Sequence, residues 1–247
     1  MRDLSVAVFR PDDERLADAV ELIDSLGATP VPDPMLSIEA ADATPREDAD
    51  YVVLTSKTGA ELVADSGWNP GNATVCAIGP KTAAAVREAG YEVDVVPDEY
   101  TSSGLVVTLS DRIDGARIEV ARSDHGSPVL LDGFEAAGAY VHETILYRLV
   151  RPEGSGVSAE RAAGGELDAA CFTSSLTVDH FLEAAGERGL REEAVDGLED
   201  ATVGVIGEPT RETAAERGID VDVVASEATF DALACETVET AAPTYRD

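Results

Sequence analysis

Tyr51-Val52-Val53-Leu54-Thr55-Ser56 is a short apolar, β-branched run closed by two hydroxyl residues, and 118 residues later the chain repeats it as Ala169-Ala170-Cys171-Phe172-Thr173-Ser174. Runs of this kind read as strands buried on both faces of a parallel sheet. The segments after each copy also recur. Ala77-Ile78-Gly79, a helical-period segment and the stretch from Gly90 to Val96 return 128 residues later as Val205-Ile206-Gly207, a helical-period segment and the stretch from Gly218 to Val224. A second pairing takes up the rest of the chain: Phe9-Arg10-Pro11, a helix and Gly27 match Ala121-Arg122-Ser123, a helix and Gly138, at offsets of 112 and 111 residues. A β-prone stretch comes after each, at 28–36 and 139–150. The whole chain is therefore one duplicated pattern, which argues for two similar domains over one large sheet.

Working outward, strand candidates at 4–9, 51–54, 74–78, 92–96, 117–120, 169–172, 202–206 and 220–224 alternate with helix candidates at 15–26, 82–89, 104–109, 128–137, 176–185, 211–217 and 230–240. Most of these helices stop at or near a glycine, and the alternation is the signature of an α/β fold with parallel sheets. The Gly-, Ser- and charge-rich segment 151–165 reads as a linker or surface loop, and 40–50 as another.

Composition narrows the function. The chain has 247 residues, 44% of them hydrophobic, enough to bury a substantial core. It carries 49 acidic and 18 basic residues, a formal charge of −31, and its lysines are Lys57 and Lys81. The acids are spread along the chain, which describes a halophile-like surface suited to concentrated salt. With no basic stripe to neutralise phosphates, nucleic acid is disfavoured as a partner. Cys76, Cys171 and Cys235 are widely spaced in apolar surroundings and read as buried free thiols in a reducing compartment. No apolar run approaches the roughly 18 residues that span a bilayer, and the N-terminus turns acidic at once, so a cytoplasmic protein without a membrane segment is expected.

In parallel α/β sheets ligands bind beyond the carboxyl ends of strands, where loops present amides and helix N-termini. Small hydroxyl residues collect there in both copies: Thr55-Ser56, Thr101-Ser102-Ser103, Thr173-Ser174-Ser175 and Thr210. Each cluster also suits helix N-capping. The two roles are compatible, and recurrence at matching strand ends favours binding. Gly79-Pro80-Lys81-Thr82 and Gly207-Glu208-Pro209-Thr210 set a glycine at a strand end and a proline in or just before the first helical turn. Neither is a phosphate loop of G-x-x-x-x-G-K-[ST] form, and no G-x-G-x-x-G follows a strand, so nucleotide binding loses most of its support. His125, His142 and His180 stand outside metal-ligand spacings, and no G-x-S-x-G elbow is present.

The ordered set Arg10-Pro11, Thr55-Ser56, Ala77-Ile78-Gly79-Pro80 with Thr82, Thr101-Ser102-Ser103, Leu146-Tyr147, Phe172-Thr173-Ser174, and Ile206-Gly207 with Thr210 resembles the uroporphyrinogen-III synthases over essentially the full length. The resemblance implies two flavodoxin-like three-layer α/β domains with parallel sheets. Residues 1–33 with 152–247 would form one discontinuous domain and 37–149 the other. A two-stranded β connector near 31–37 and 141–152 would join them, with a substrate cleft framed by both. It implies a monomeric lyase, free of metal or organic cofactor, that closes the linear tetrapyrrole hydroxymethylbilane to uroporphyrinogen III with ring D inverted and water lost. Tyr147 matches the tyrosine assigned to help the hydroxyl leave. Arg10, Thr55, Ser56, Thr82, Ser102, Ser103, Arg122, Ser123, Thr173, Ser174, Ser175 and Thr210 would hold the many-carboxylate substrate. Lys57, Lys81, Arg148 and Arg211 stand near the same loops. Glu208 departs from the family pattern, which has proline directly after the glycine, and an acid there sits awkwardly with a polyanion. It favours the alternative of a non-catalytic two-domain binding or regulatory module.

Overall fold

The computed structural model describes residues 4–242, so residues 1–3 of the N-terminal reading and 243–247 of the expected first domain lie outside the described residues. In chain order the elements are β1 (Ser5–Val8), α1 (Glu14–Ser25), β2 (Thr29–Pro32), β3 (Ser37–Ala40), β4 (Tyr51–Leu54), α2 (Lys57–Asp65), β5 (Thr74–Ala77), α3 (Pro80–Glu88), α4 (Ser102–Leu109) and β6 (Arg117–Ser123). They continue with α5 (Val129–Ala136), β7 (Tyr140–Val150), α6 (Val157–Ala163), β8 (Ala169–Phe172), α7 (Ser175–Glu187), α8 (Arg191–Glu199), β9 (Thr202–Val205), α9 (Glu208–Glu216), β10 (Val223–Val224) and α10 (Phe230–Ala241). The chain divides into two compact units: unit 1 is Met1–Ser37 with Val150–Asp247, and unit 2 is Ile38–Leu149.

Unit 1 holds a sheet of order β10-β9-β8-β1-β2, and unit 2 one of order β3-β7-β6-β4-β5. The strands from β1 to β10 in the first and from β4 to β7 in the second pair in parallel. The duplicated pattern lays the two sheets out alike: β8 answers to β4, β9 to β5, β1 to β6 and β2 to β7. The stretches expected to connect the domains are built as β2, which pairs inside the sheet of unit 1, and as β3 and β7, which lie side by side in the sheet of unit 2.

Burial on both sheet faces explains the apolar runs. In unit 2, Val52, Leu54, Ala121 and Leu146 face one core and Val53, Cys76, Ile118 and Val120 the other. In unit 1 the stacked rings of Phe9 and Phe172, with centroids 4.6 Å apart, receive Phe181 edge-on and anchor the larger core.

Two expectations need correction. The strands expected at 92–96 and 220–224 shrink to one bridge between Cys76 and Val95 and to the two residues of β10. In both copies an aspartate takes over the ladder's role. The Asp94 carboxylate accepts from the Val75 amide at 2.8 Å, and that of Asp222 accepts from the Val203 amide at 2.8 Å. Segment 151–165 is not merely a linker, because it contains α6, with Ser158, Ala159 and Ala162 buried. Helices α2 and α8 were likewise not among the helices read from the sequence.

The thiols offer a direct check on the packing. Cys76 and Cys171 are buried as expected, but Cys235 corrects the expectation: it lies on α10 and is exposed. Burial pushes the pKa of both buried thiols up to about 12. One thiol of the folded protein is therefore expected to react with Ellman's reagent near pH 8, and three once it is unfolded. The folded-state values exceed the unfolded value, so the stability these thiols contribute is full below about pH 8.5 and is lost as pH rises towards 12. Three fast-reacting thiols in the folded protein would mean that the strand cores are open.

Candidate functional site

The hydroxyl residues read from the sequence do cap helices. Ser56 Oγ accepts from the Gly59 amide at 2.9 Å at the start of α2, and Thr101 Oγ1 from the Gly104 amide at 3.0 Å at the start of α4. Ser174 forms a reciprocal capping box with Thr177 at the start of α7. Each helix start lies at or just beyond the carboxyl edge of its unit's parallel sheet. Ser102 and Ser103 fall in the first turn of α4, and Thr82 and Thr210 are the third residues of α3 and α9, both buried.

The sheet of unit 2 reverses direction of growth between β4 and β6, and its carboxyl edge there brings two of the expected residues together. Leu54 pairs with Ala121, and Ala121 pairs with Thr144, so β7 runs on past the ends of its neighbours. Between Arg122 and Ser123 the register slips: Arg122 pairs with Ile145, but Ser123 pairs with Tyr147. The extra residue in β7 is Leu146. This bulge turns Leu146 and Tyr147 onto the same core face, where strict alternation would have sent one of them away. Tyr147, 6% exposed, then donates its phenol hydrogen to Ser56 Oγ at 3.0 Å. With the Gly59 amide and the phenol both donating to it, Ser56 Oγ has its acceptor sites filled, which leaves its own O–H to donate.

Unit 1 has the same switch point between β1 and β8. There Thr173 Oγ1 donates to the Phe9 carbonyl at 2.6 Å, tying the end of β8 to the end of β1. Arg10 follows Phe9 directly. Its guanidinium carbon lies 5.1 Å from the centre of the Phe230 ring, and its Nε is buried without a hydrogen-bond partner among the described residues. Burial first, and then the charge of Arg15, lower the Arg10 pKa from the usual guanidinium value. Ser175 Oγ donates to the Pro209 carbonyl at 3.1 Å and receives Thr213 Oγ1 at 2.8 Å, which joins the starts of α7 and α9.

The cations sort into two groups. Arg122 corrects an expectation: it is 4% exposed, its Nε lies 2.6 Å from Glu143, and it also donates to the Ser127 carbonyl. Its charge is neutralised inside the protein and it braces the loop after β6, next to Ser123. Lys57 pairs with Glu61 at 3.3 Å, and Arg211 pairs with Glu208 one helical turn away. That last contact neutralises the acid that had seemed awkward. Arg10, Lys81 and Arg148 form no ion pair among the described residues, which leaves their charge available to an anion.

Sequence reasoning missed one buried polar group in unit 2. Glu119, fully buried on β6, accepts from Thr144 and sits 2.8 Å from His142 Nδ1 on β7. A charged residue inside a strand-like run was its signal. Among the described residues no group of three or more His, Cys, Asp and Glu converges as a metal site, and no helix is long and apolar enough to cross a membrane.

The family model for the uroporphyrinogen-III synthase HemD matches residues 17–235. A protein of Methanothermobacter thermautotrophicus, provisionally named a uroporphyrinogen-III synthase, is 35% identical over 87% of this chain and 90% of its own length. An Archaeoglobus fulgidus protein of the same provisional name is 27% identical over 93% of this chain and 96% of its own. Among solved structures, a mutant uroporphyrinogen III synthase of Thermus thermophilus has a TM-score of 0.67 at 19% identity, covering 96% of this chain and 98% of that one. At that identity the likeness speaks for the two-sheet fold.

Proposed function

Since this chain belongs to the uroporphyrinogen-III synthase family, we propose that it converts hydroxymethylbilane to uroporphyrinogen III, releasing water and inverting ring D. The observation that carries the reading is the Tyr147–Ser56 hydroxyl pair at the carboxyl edge of the unit 2 sheet. The substrate's terminal hydroxyl is a poor leaving group until it gains a proton. Ser56 holds an O–H free to supply one, and the phenol behind it can refill the serine in the same movement. The hydroxyl departs as water and leaves a cationic azafulvene. Ring D attacks that carbon through its already substituted α position to give a spiro intermediate. The bond from that position to the methylene shared with ring C then breaks, the methylene rebonds to the other α position of ring D, and the proton lost there as the pyrrole regains its aromaticity returns to the hydroxyl pair. Atoms and charge balance without a redox partner.

Holding the substrate is the larger task, because the linear tetrapyrrole also closes unaided to the uninverted isomer I. The enzyme must favour the conformation that inverts ring D. The substrate's eight carboxylates suit the capped helix starts after Ser56, Thr101 and Ser174, the hydroxyls of Thr55, Thr82, Ser102, Ser103, Ser123 and Thr210, and the cations Arg10, Lys81 and Arg148. The hydroxyls of Thr173 and Ser175, expected to hold substrate, instead already donate to the Phe9 and Pro209 carbonyls and brace the strand and helix ends. Arg122 supports the site from inside. A protein of charge −31 then attracts its polyanionic substrate by local donors, with its global field opposed.

The test is product analysis. Purified protein in high salt, given freshly generated hydroxymethylbilane, is expected to yield predominantly isomer III. Predominant isomer I would end the enzymatic reading and leave a binding module in its place.

A further inference from the structure

Tyr100 stands at the same edge of unit 2 and is 61% exposed. It lies against Gly79, the residue that begins α3 beyond the end of β5. A Cβ placed on Gly79 would come within 3.2 Å of Tyr100 Cβ and 3.5 Å of its Cγ. Gly79 has an extended backbone, φ −169°, that any residue adopts. A side chain there would crowd the tyrosine, which would have to give by a few tenths of an ångström.

The duplication supplies an internal control. In unit 2 the turn before α4 is closed by the Thr101 amide donating to the Glu99 carbonyl at 2.7 Å. In unit 1, 128 residues on, the Thr229 amide donates to the Glu227 carbonyl at 2.7 Å, and Thr229 likewise caps α10. The residue between them is Ala228. A Cβ on Gly207, the counterpart of Gly79, meets nothing nearer than Pro209 Cδ at 4.0 Å. The turn and its cap thus form equally well around alanine. Tyr100 is not needed to build this corner, and burial does not hold it there either, since most of its surface faces solvent. It is an aromatic face added to one of two otherwise matching strand ends. Ile78 donates to the Leu54 carbonyl at 3.0 Å, so the end of β5, against which Tyr100 packs at Gly79, is the immediate neighbour of the strand end carrying Ser56.

We propose that Tyr100 is the surface on which one pyrrole ring of the linear tetrapyrrole stacks while the hydroxymethyl end is presented to Ser56 and Tyr147; this rests on the reaction proposed above. A pyrrole is a flat, electron-rich ring that suits offset stacking on a phenol. The starts of α3 and α4, on either side of Tyr100, provide amides for that ring's carboxylate arms.

Steady-state kinetics on freshly generated hydroxymethylbilane, with isomer analysis, tests the assignment. Tyr100→Ala is expected to raise KM about three- to tenfold with kcat within about twofold and an unchanged thermal midpoint, the pattern of lost ground-state binding. Tyr100→Phe, which keeps the ring, is expected to restore the wild-type KM. An alanine variant with wild-type KM beside a wild type that forms isomer III would overturn the role of Tyr100 alone. A phenylalanine variant as weak as alanine would overturn stacking in favour of the hydroxyl. Wild-type protein yielding isomer I alone would remove the reaction and this inference together.

Discussion

Tyr147→Phe is expected to lower kcat on hydroxymethylbilane by about 10- to 100-fold, at most the bottom of the range a positioned acid contributes, while leaving the fold intact. The ring packs in the unit 2 core at 6% exposure, and phenylalanine preserves that packing. What disappears is the O–H that donates to Ser56 Oγ. The loss is bounded because the pyrrole assists its own hydroxyl to leave. Since unassisted closure competes during the longer lifetime of the substrate, the share of isomer I should rise as the rate falls. Ser56→Ala should cause a similar loss, and in addition should destabilise α2 by about 1 kcal/mol through the missing cap. Residues acting as one relay are not additive. The double variant should therefore be no slower than Ser56→Ala. Wild-type turnover in Tyr147→Phe, measured with the isomer ratio, would dismiss the relay.

Asp33→Ala is expected to destabilise unit 1 by about 3–5 kcal/mol, from three buried donors losing their acceptor at about 1–3 kcal/mol each, less what relaxation recovers. Asp33 is 1% exposed. Its carboxylate accepts from the Gly156 amide at 2.8 Å, from the Ser158 amide at 2.8 Å and from the Ser158 hydroxyl. Those groups begin α6, where Gly156 takes φ 111°, a left-handed conformation natural only to glycine. Asparagine retains one acceptor oxygen, so Asp33→Asn should fall between alanine and wild type. The measurement is the urea midpoint by far-UV circular dichroism in high salt. The single tryptophan, Trp68, lies in unit 2 and reports separately on that unit by fluorescence. An unchanged dichroism midpoint in Asp33→Ala would show that the carboxylate does not hold α6.

The same contact shows why part of the fold was hidden from sequence reading. Gly156 and Ser158 read as part of a linker because the carboxylate that orders them is more than a hundred residues away. No local pattern contains it. The strands suffered from a related blindness: Glu92-Val93-Asp94 has the alternation of a strand, yet the Asp94 carboxylate occupies the Val75 amide that a ladder would have used. Where local chemistry and tertiary partner agree, as at Tyr51–Leu54 and Ala169–Phe172, the strands have the bounds read from the sequence.

The site divides in the same way. Hydroxyl residues at strand ends were legible because a helix start needs a cap and the duplication marks which starts correspond. The fates of the charges were not: Arg122 and Arg10 occupy equivalent places in the repeat, yet one is closed in by Glu143 and the Ser127 carbonyl and the other keeps an unpartnered Nε. Comparing the copies residue by residue would have exposed Tyr100 against Ala228, although its contact with Gly79 needed coordinates.

By itself the amino-acid order determined the class of fold, the doubling and the strand ends at which polar groups collect, because these follow from apolar periodicity, capping and repetition, all short-range properties of the chain. Tertiary structure alone decided that one extra residue in β7 swings Tyr147 onto Ser56, and which arginines keep a free charge. Both depend on the register and packing of segments far apart in the chain, and hydrogen bonds and ion pairs form only where packing brings their two partners within about 3 Å.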